Sequence, residues 1–109
     1  MMGHMTLSTH VLDATTGRPA IGMAVTLTAA GTAVADGVTD SDGRIAGLGG
    51  ELAAGVYRLH FDTAAYFAAE GLAGFYPEVV IAFEITELSG HYHVPLLASP
   101  WAYSTYRGS

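Results

Sequence analysis

The chain has 109 residues, enough for one domain and too few for two. Half of them are hydrophobic and 13% are charged, the reverse of a disordered composition. The formal net charge of -6 excludes the basic stripe of a nucleic-acid binder and any attraction to an anionic membrane. The sequence has no Lys and no Cys, so Schiff-base chemistry, thiol catalysis, Cys-ligated zinc and disulfides are all excluded. No apolar run approaches the roughly 20 residues that span a bilayer. Residues 1–5 lack a basic n-region and an apolar h-region, so they read as a disordered or vector-derived leader to a domain over 6–109. The expected location is the cytoplasm.

In chain order the dominant period is two. Alternating or β-rich runs predict strands over 6–13, 23–28, 32–38, 44–48, 55–61, 78–87, 91–97 and 102–106. Turn clusters at Thr15-Thr16-Gly17-Arg18-Pro19 and Asp40-Ser41-Asp42-Gly43 separate them. Eight short strands at near-regular spacing predict an all-β antiparallel sandwich or barrel. The segment from Asp62 to Gly71 breaks the pattern. It has a capping residue, good helix formers and a terminal Gly, and predicts one short helix. Pro95 lies inside a strand pattern, so that strand should be interrupted there or have its N–H side free.

On the first strand Leu7, Thr9 and Val11 share one face, which is expected to face the core. Ser8, His10 and Leu12 share the other, exposed or subunit-facing one. His10 is there either a solvated strand histidine or a functional one. His91 and His93 form an H-x-H pair that projects from one strand face at a spacing of about 6 to 7 Å. Three readings are open for the pair: two zinc ligands with His10 as the third, a general base, or surface histidines beside a turn. No acidic residue lies at a standard ligand spacing beside it, which weakens the zinc reading. Arg44 opens a strand straight after Asp42-Gly43 and is either a turn-flanking arginine or an anion binder in an acidic chain. Trp101, Tyr103 and Tyr106 predict a docked C-terminus, which would place Arg107, Ser109 and the terminal carboxylate on the body of the fold. There is no nucleophile elbow, phosphate loop, dinucleotide fingerprint or paired-carboxylate motif, so a water activated by histidine is the simplest nucleophile.

Three segments together resemble the transthyretin family. They are Leu7-Ser8-Thr9-His10-Val11-Leu12-Asp13 with Gly17-Arg18-Pro19-Ala20, then Asp42-Gly43-Arg44, and then the stretch from Tyr92 to Ser109 that ends Tyr106-Arg107-Gly108-Ser109. The ending and the His10, Arg44, His93 set are similar to the branch that hydrolyses 5-hydroxyisourate in urate breakdown; the thyroid-hormone carrier branch lacks this set. The resemblance implies an eight-stranded sandwich with one short helix. It also implies a homotetramer built as a dimer of dimers, with active sites in the channel between dimers. By the same resemblance His10, Arg44 and His93 are catalytic, and Tyr106, Arg107 and Ser109 bind the substrate. No cofactor or metal is implied. A carrier that holds a small aromatic ligand in the same channel is the alternative. Ala102 stands where the hydrolases usually have Gly. If that position required positive φ, the loop before the last strand would differ.

Overall fold

The computed structural model describes residues 5–88 and 90–109. Two sheets face one another across the core. One runs in the order β2-β1-β8-β9, with β5 also paired to β1; the other runs β4-β3-β6-β7. The strands are β1 Met5–Asp13, β2 Arg18–Pro19, β3 Ala24–Ala29, β4 Thr32–Val38, β5 Arg44–Ile45, β6 Gly55–Phe61, β7 Val79–Ile85, β8 Gly90–Ala98 and β9 Tyr103–Thr105, with the helix α1 at Thr63–Ala69. All eight predicted strands are present. The two-residue β2 is an addition in a segment read as pure turn, and β5 ends three residues earlier than the periodicity suggests.

Met5, expected to lie outside the domain, belongs to it. Met5 begins β1, is buried, and pairs with Gly90. Residues 1–4 lie outside the described residues.

Strict alternation builds the core. Along β1, Met5, Leu7, Thr9, Val11 and Asp13 are buried, while the residues between them are partly or fully exposed. From the opposing sheet Val25, Leu27, Leu59, Phe61 and Ile85 complete the packing. Thr9 is the polar member of the β1 inner face. Its hydroxyl donates to the Val94 carbonyl at 2.7 Å, so its burial carries no unmet hydrogen bond.

The helix forms as its sequence dictates. The Asp62 carboxylate accepts from the Ala65 N–H, and Phe67 and Thr63 turn inward. Tyr66 donates its hydroxyl to the Asp13 carboxylate at 2.8 Å and so ties the helix to the end of β1.

β8 runs unbroken through Pro95, whose partner in the parallel ladder is His10. What lapses is the pairing with β9. Leu96–Thr105 is the last ladder pair, and the isolated bridge His93–Gly108 resumes the same register. Pro95 has no N–H to donate across that gap. Its carbonyl instead accepts from the Thr105 hydroxyl at 2.7 Å. The C-terminus is docked as predicted, although Trp101 and Tyr106 are 68% and 61% exposed, so core burial is not what holds it. Backbone pairing does, helped by ring contacts of Trp101 with Phe75 and of Tyr103 with Tyr76. Ala102 causes no strain, because Ala30 is the non-glycine with positive φ among the described residues.

β5 reaches β1 through one tight approach. Gly43 has φ +73°, its carbonyl accepts from the Val11 N–H at 2.7 Å, and a Cβ placed on it would lie 2.5 Å from the Val11 carbonyl oxygen. Gly43→Ala is therefore expected to destabilise the fold by about 1 to 3 kcal/mol, as side chains at positive φ under backbone contact do. A chemical-denaturation midpoint equal to that of the parent protein would refute this role.

Candidate active site

The site is assembled by register on the outer face of the five-stranded sheet. Arg44 of β5 lies directly opposite His10 of β1 in an antiparallel pair, which puts both side chains on the same face. On the other edge of β1, Ser8 lies opposite His93 of β8. Ser8 and His10 are two residues apart, so His93 shares that face as well. His91, two residues before His93, joins them. Three chain segments far apart in sequence thus bring His10, Arg44 and His93 together.

The His93 ring is held on three sides. Its Nδ1 is 2.7 Å from the Ser8 hydroxyl. Its face stacks on His91, with ring centroids 6.0 Å apart and planes 19° from parallel. Its Cδ2 edge is covered by Gly108, where a Cβ would fall 2.4 Å from that carbon. Burial pushes the His93 pKa below the ordinary histidine value, and the charges of Arg44, His91 and His10 push it the same way. His93 is therefore neutral at pH 7, the form that accepts a proton.

His91 has both ring nitrogens engaged. Nδ1 lies 2.5 Å from the Thr6 hydroxyl and Nε2 lies 2.9 Å from that of Ser8. A zinc ligand needs a free ring nitrogen aimed at the metal, and His91 presents none in this arrangement. Among the described residues no group of three or more His, Cys, Asp or Glu is placed to hold a metal ion.

The three residues expected to bind substrate are distributed differently. The Arg107 guanidinium lies 4.9 Å over the Tyr92 ring, and Tyr92 belongs to the core-facing side of β8. Tyr106 and Ser109 are exposed. Arg107 lines a cleft of about 310 Å³ along the sandwich edge with Ile81, Phe83, Tyr92, His93, Val94 and Tyr106. Neither His10 nor Arg44 lines that cleft. Within one chain, then, His10, Arg44 and His93 share the outer sheet face, and Arg107 meets that set only at His93, across the shared cleft.

Two contributors escaped the sequence reading. Ser8 reads as an ordinary small residue on an exposed strand face, and only the β1–β8 register sets it against His93. Gly108 has no side chain to single it out, although a glycine in a docked terminal segment is itself a signal of close backbone approach.

The sequence model of the HIUase/Transthyretin family matches residues 7–108. The chain belongs to this family. A curated relative from Salmonella dublin, named 5-hydroxyisourate hydrolase, is 47% identical over an alignment that takes in 98% of this chain and 83% of that protein. The solved structure of Klebsiella pneumoniae 5-hydroxyisourate hydrolase superposes with a TM-score of 0.88 at 43% identity, covering 95% of this chain and 99% of that one. Transthyretin from Sparus aurata superposes with a TM-score of 0.86 at 40% identity, covering 94% and 95%. The fold is therefore common to the hydrolase and the transthyretin structures and does not by itself choose between their roles.

Gly108→Ala must displace either the His93 ring or the C-terminal strand. With the fold otherwise retained, turnover should fall about tenfold or more, as for other small misplacements of a reacting group. Parental turnover in the folded variant would show that this contact is dispensable.

Proposed function

We propose that the protein hydrolyses 5-hydroxyisourate to 2-oxo-4-hydroxy-4-carboxy-5-ureidoimidazoline, a step of urate catabolism. The observation that carries this reading is the convergence of His10, Arg44 and His93 on one sheet face, in a chain 47% identical to a curated 5-hydroxyisourate hydrolase. A carrier site for an apolar aromatic ligand would call for an apolar lining. The face here offers imidazoles, a guanidinium and hydroxyls.

The chemistry follows from the groups present. The substrate has a strained cyclic acyl–nitrogen bond. A histidine takes a proton from water as the water oxygen bonds to the ring carbonyl carbon, and the oxyanion of the tetrahedral intermediate forms beside Arg44. The carbon–nitrogen bond then breaks, and the other histidine supplies the proton that the leaving nitrogen needs. His93, held neutral at pH 7, suits the base, and His10 suits the acid. Arg44 orients the urate-like ring and stabilises the oxyanion. Tyr106, Arg107 and Ser109 bind the substrate where the C-terminus borders the site. No step requires a cofactor or metal.

The working unit is proposed to be a homotetramer, a dimer of dimers, acting in the cytoplasm. The site is an open sheet face with no opposing wall among the described residues, and Ile21, Phe75 and Trp101 are large exposed apolar side chains elsewhere on the surface. Apposition of two such faces would supply the wall and exclude water.

The decisive assay generates 5-hydroxyisourate from urate with urate oxidase and follows its ultraviolet decay. Acceleration over the spontaneous rate is expected, and it should survive exhaustive chelation. His10→Ala, Arg44→Ala and His93→Ala should each lose about 10²- to 10³-fold in turnover while remaining folded. No acceleration by the parent protein would overturn the assignment. Parental turnover in one variant would remove that residue from the mechanism. Sedimentation equilibrium should give four times the 11.3 kDa chain mass; a monomer with full activity would refute the shared-face site.

A further inference from the structure

The Ser8 hydroxyl occupies an unusual position. It lies 2.7 Å from His93 Nδ1 and 2.9 Å from His91 Nε2, and His91 Nδ1 lies in turn 2.5 Å from the Thr6 hydroxyl. Thr6, His91, Ser8 and His93 thus form one continuous polar chain across the β1–β8 ladder. We propose that Ser8 is a positioning residue for His93, and that His91 acts as its anchor. This inference rests on the hydrolase reading and adds to it a requirement that the His10, Arg44, His93 set does not contain.

The argument is one of ring geometry. An imidazole has two nitrogens, and the hydrogen bond made by one decides which is left for chemistry. Ser8 engages Nδ1, so Nε2 is the nitrogen that remains for water or substrate. Gly108 closes the Cδ2 edge and His91 stacks on one face, so the ring cannot turn over without losing the Ser8 bond or striking the C-terminal backbone. A serine hydroxyl has one hydrogen and can rotate freely. It needs a second partner to hold it in place, and His91 Nε2 supplies one from the opposite side. His91 is in turn held by Thr6. The charged groups around His93 come from three strands: His10 on β1, Arg44 on β5 and His91 on β8 itself. Gly108 brings the C-terminal segment against the ring from the β9 side. Among the described residues the hydrogen-bond partner of Nδ1 is Ser8, so its hydroxyl specifies that end of the ring.

Two readouts test the proposal, one of them independent of activity. In ¹⁵N spectra of histidine-labelled protein, wild-type His93 should show one dominant tautomer with a hydrogen-bonded Nδ1. Ser8→Ala should give a tautomer mixture or a shifted Nδ1 resonance, and Ser8→Thr, which keeps a hydroxyl at the same branch, should restore the wild-type signature. In the decay assay Ser8→Ala should lower kcat about tenfold or more with little change in KM, because ring orientation and not substrate affinity is lost. Ser8→Thr should recover most of that loss. His91→Phe preserves a stacking ring but removes the anchor, and should fall between the two. Unchanged His93 resonances and kcat in folded Ser8→Ala would overturn the proposal, and so would a loss that Ser8→Thr fails to rescue. Should the parent protein not act on 5-hydroxyisourate, the hydrolase reading falls, whereas the tautomer measurement still decides whether Ser8 orients His93.

Discussion

The in-register parallel pairing of β1 with β8 decides everything else about the site. It runs from Met5–Gly90 to Asp13–Ala98 without a break. Side chains alternate between faces, so a slip of one residue would exchange the two faces of a strand. Here Leu7, Thr9 and Val11 are buried on one side, and a slip would drive Ser8 and His10 into the core. Thr9 adds a polar lock, because its hydroxyl reaches the Val94 carbonyl only in this register. The face left over carries Thr6, Ser8 and His10 from β1 and His91 and His93 from β8. Packing of the inner face thus fixes the chemistry of the outer one.

The other edge of β1 shows the same economy. Three separate segments satisfy its backbone. Leu48 donates to the Leu7 carbonyl, Gly43 accepts from Val11, and Ala20 donates to the Val11 carbonyl. The middle one delivers Arg44 to His10. It can do so only because Asp40 caps its own turn, accepting from the N–H groups of Asp42 and Arg44 at 2.8 and 3.0 Å. Those bonds, that of Arg44 foremost, hold the Asp40 carboxyl below its ordinary pKa. The Asp-x-Asp-Gly-Arg stretch is thus a turn whose function is to place its last residue.

Much of this was legible in the sequence, and the division is physical. Period-two alternation reports local burial, so the strands, the inner face of β1 and the position of His10 on the outer face could be read directly. Asp62 and Gly71 bracketed the helix because capping is local too. Register between distant strands leaves no local trace. The opposition of Ser8 to His93 and of Arg44 to His10 is invisible without it, and only the family resemblance anticipated the set that results. The C-terminus shows both cases. Its docking followed from aromatic composition, although Trp101 and Tyr103 anchor on Phe75 and Tyr76 of a loop and not in the core. The direction of Arg107 was not legible. Arg107 lies over the Tyr92 ring and shares its cleft with His93 but not with His10 or Arg44, an arrangement set by how the C-terminal segment rejoins β8 after Pro95.

The two perturbed groups along β1 and β8 separate structural from chemical use of charge. Burial raises the Asp13 carboxyl, but hydrogen bonds from Tyr66, Thr15 and Glu70 outweigh it, and the net pKa lies below the ordinary value. Glu70 moves the other way, first through its hydrogen bond to Asp13. Asp13 therefore stabilises the fold above the ordinary carboxylate range, and that contribution is lost as pH falls through its lowered pKa. His93 is also lowered, but by burial and by neighbouring positive charge, with no carboxylate partner among the causes. The unfolded chain takes up that proton more readily than the folded one, so acidification below the ordinary histidine range favours unfolding. The fold retains a histidine that destabilises it on the acid side. What it gains is an imidazole that stays neutral beside Arg44, the pairing that the proposed mechanism uses for base and oxyanion stabiliser. A purely structural histidine at this position would be better served by a carboxylate. The placing of Arg44 there instead is the feature on which the hydrolytic reading of this face rests.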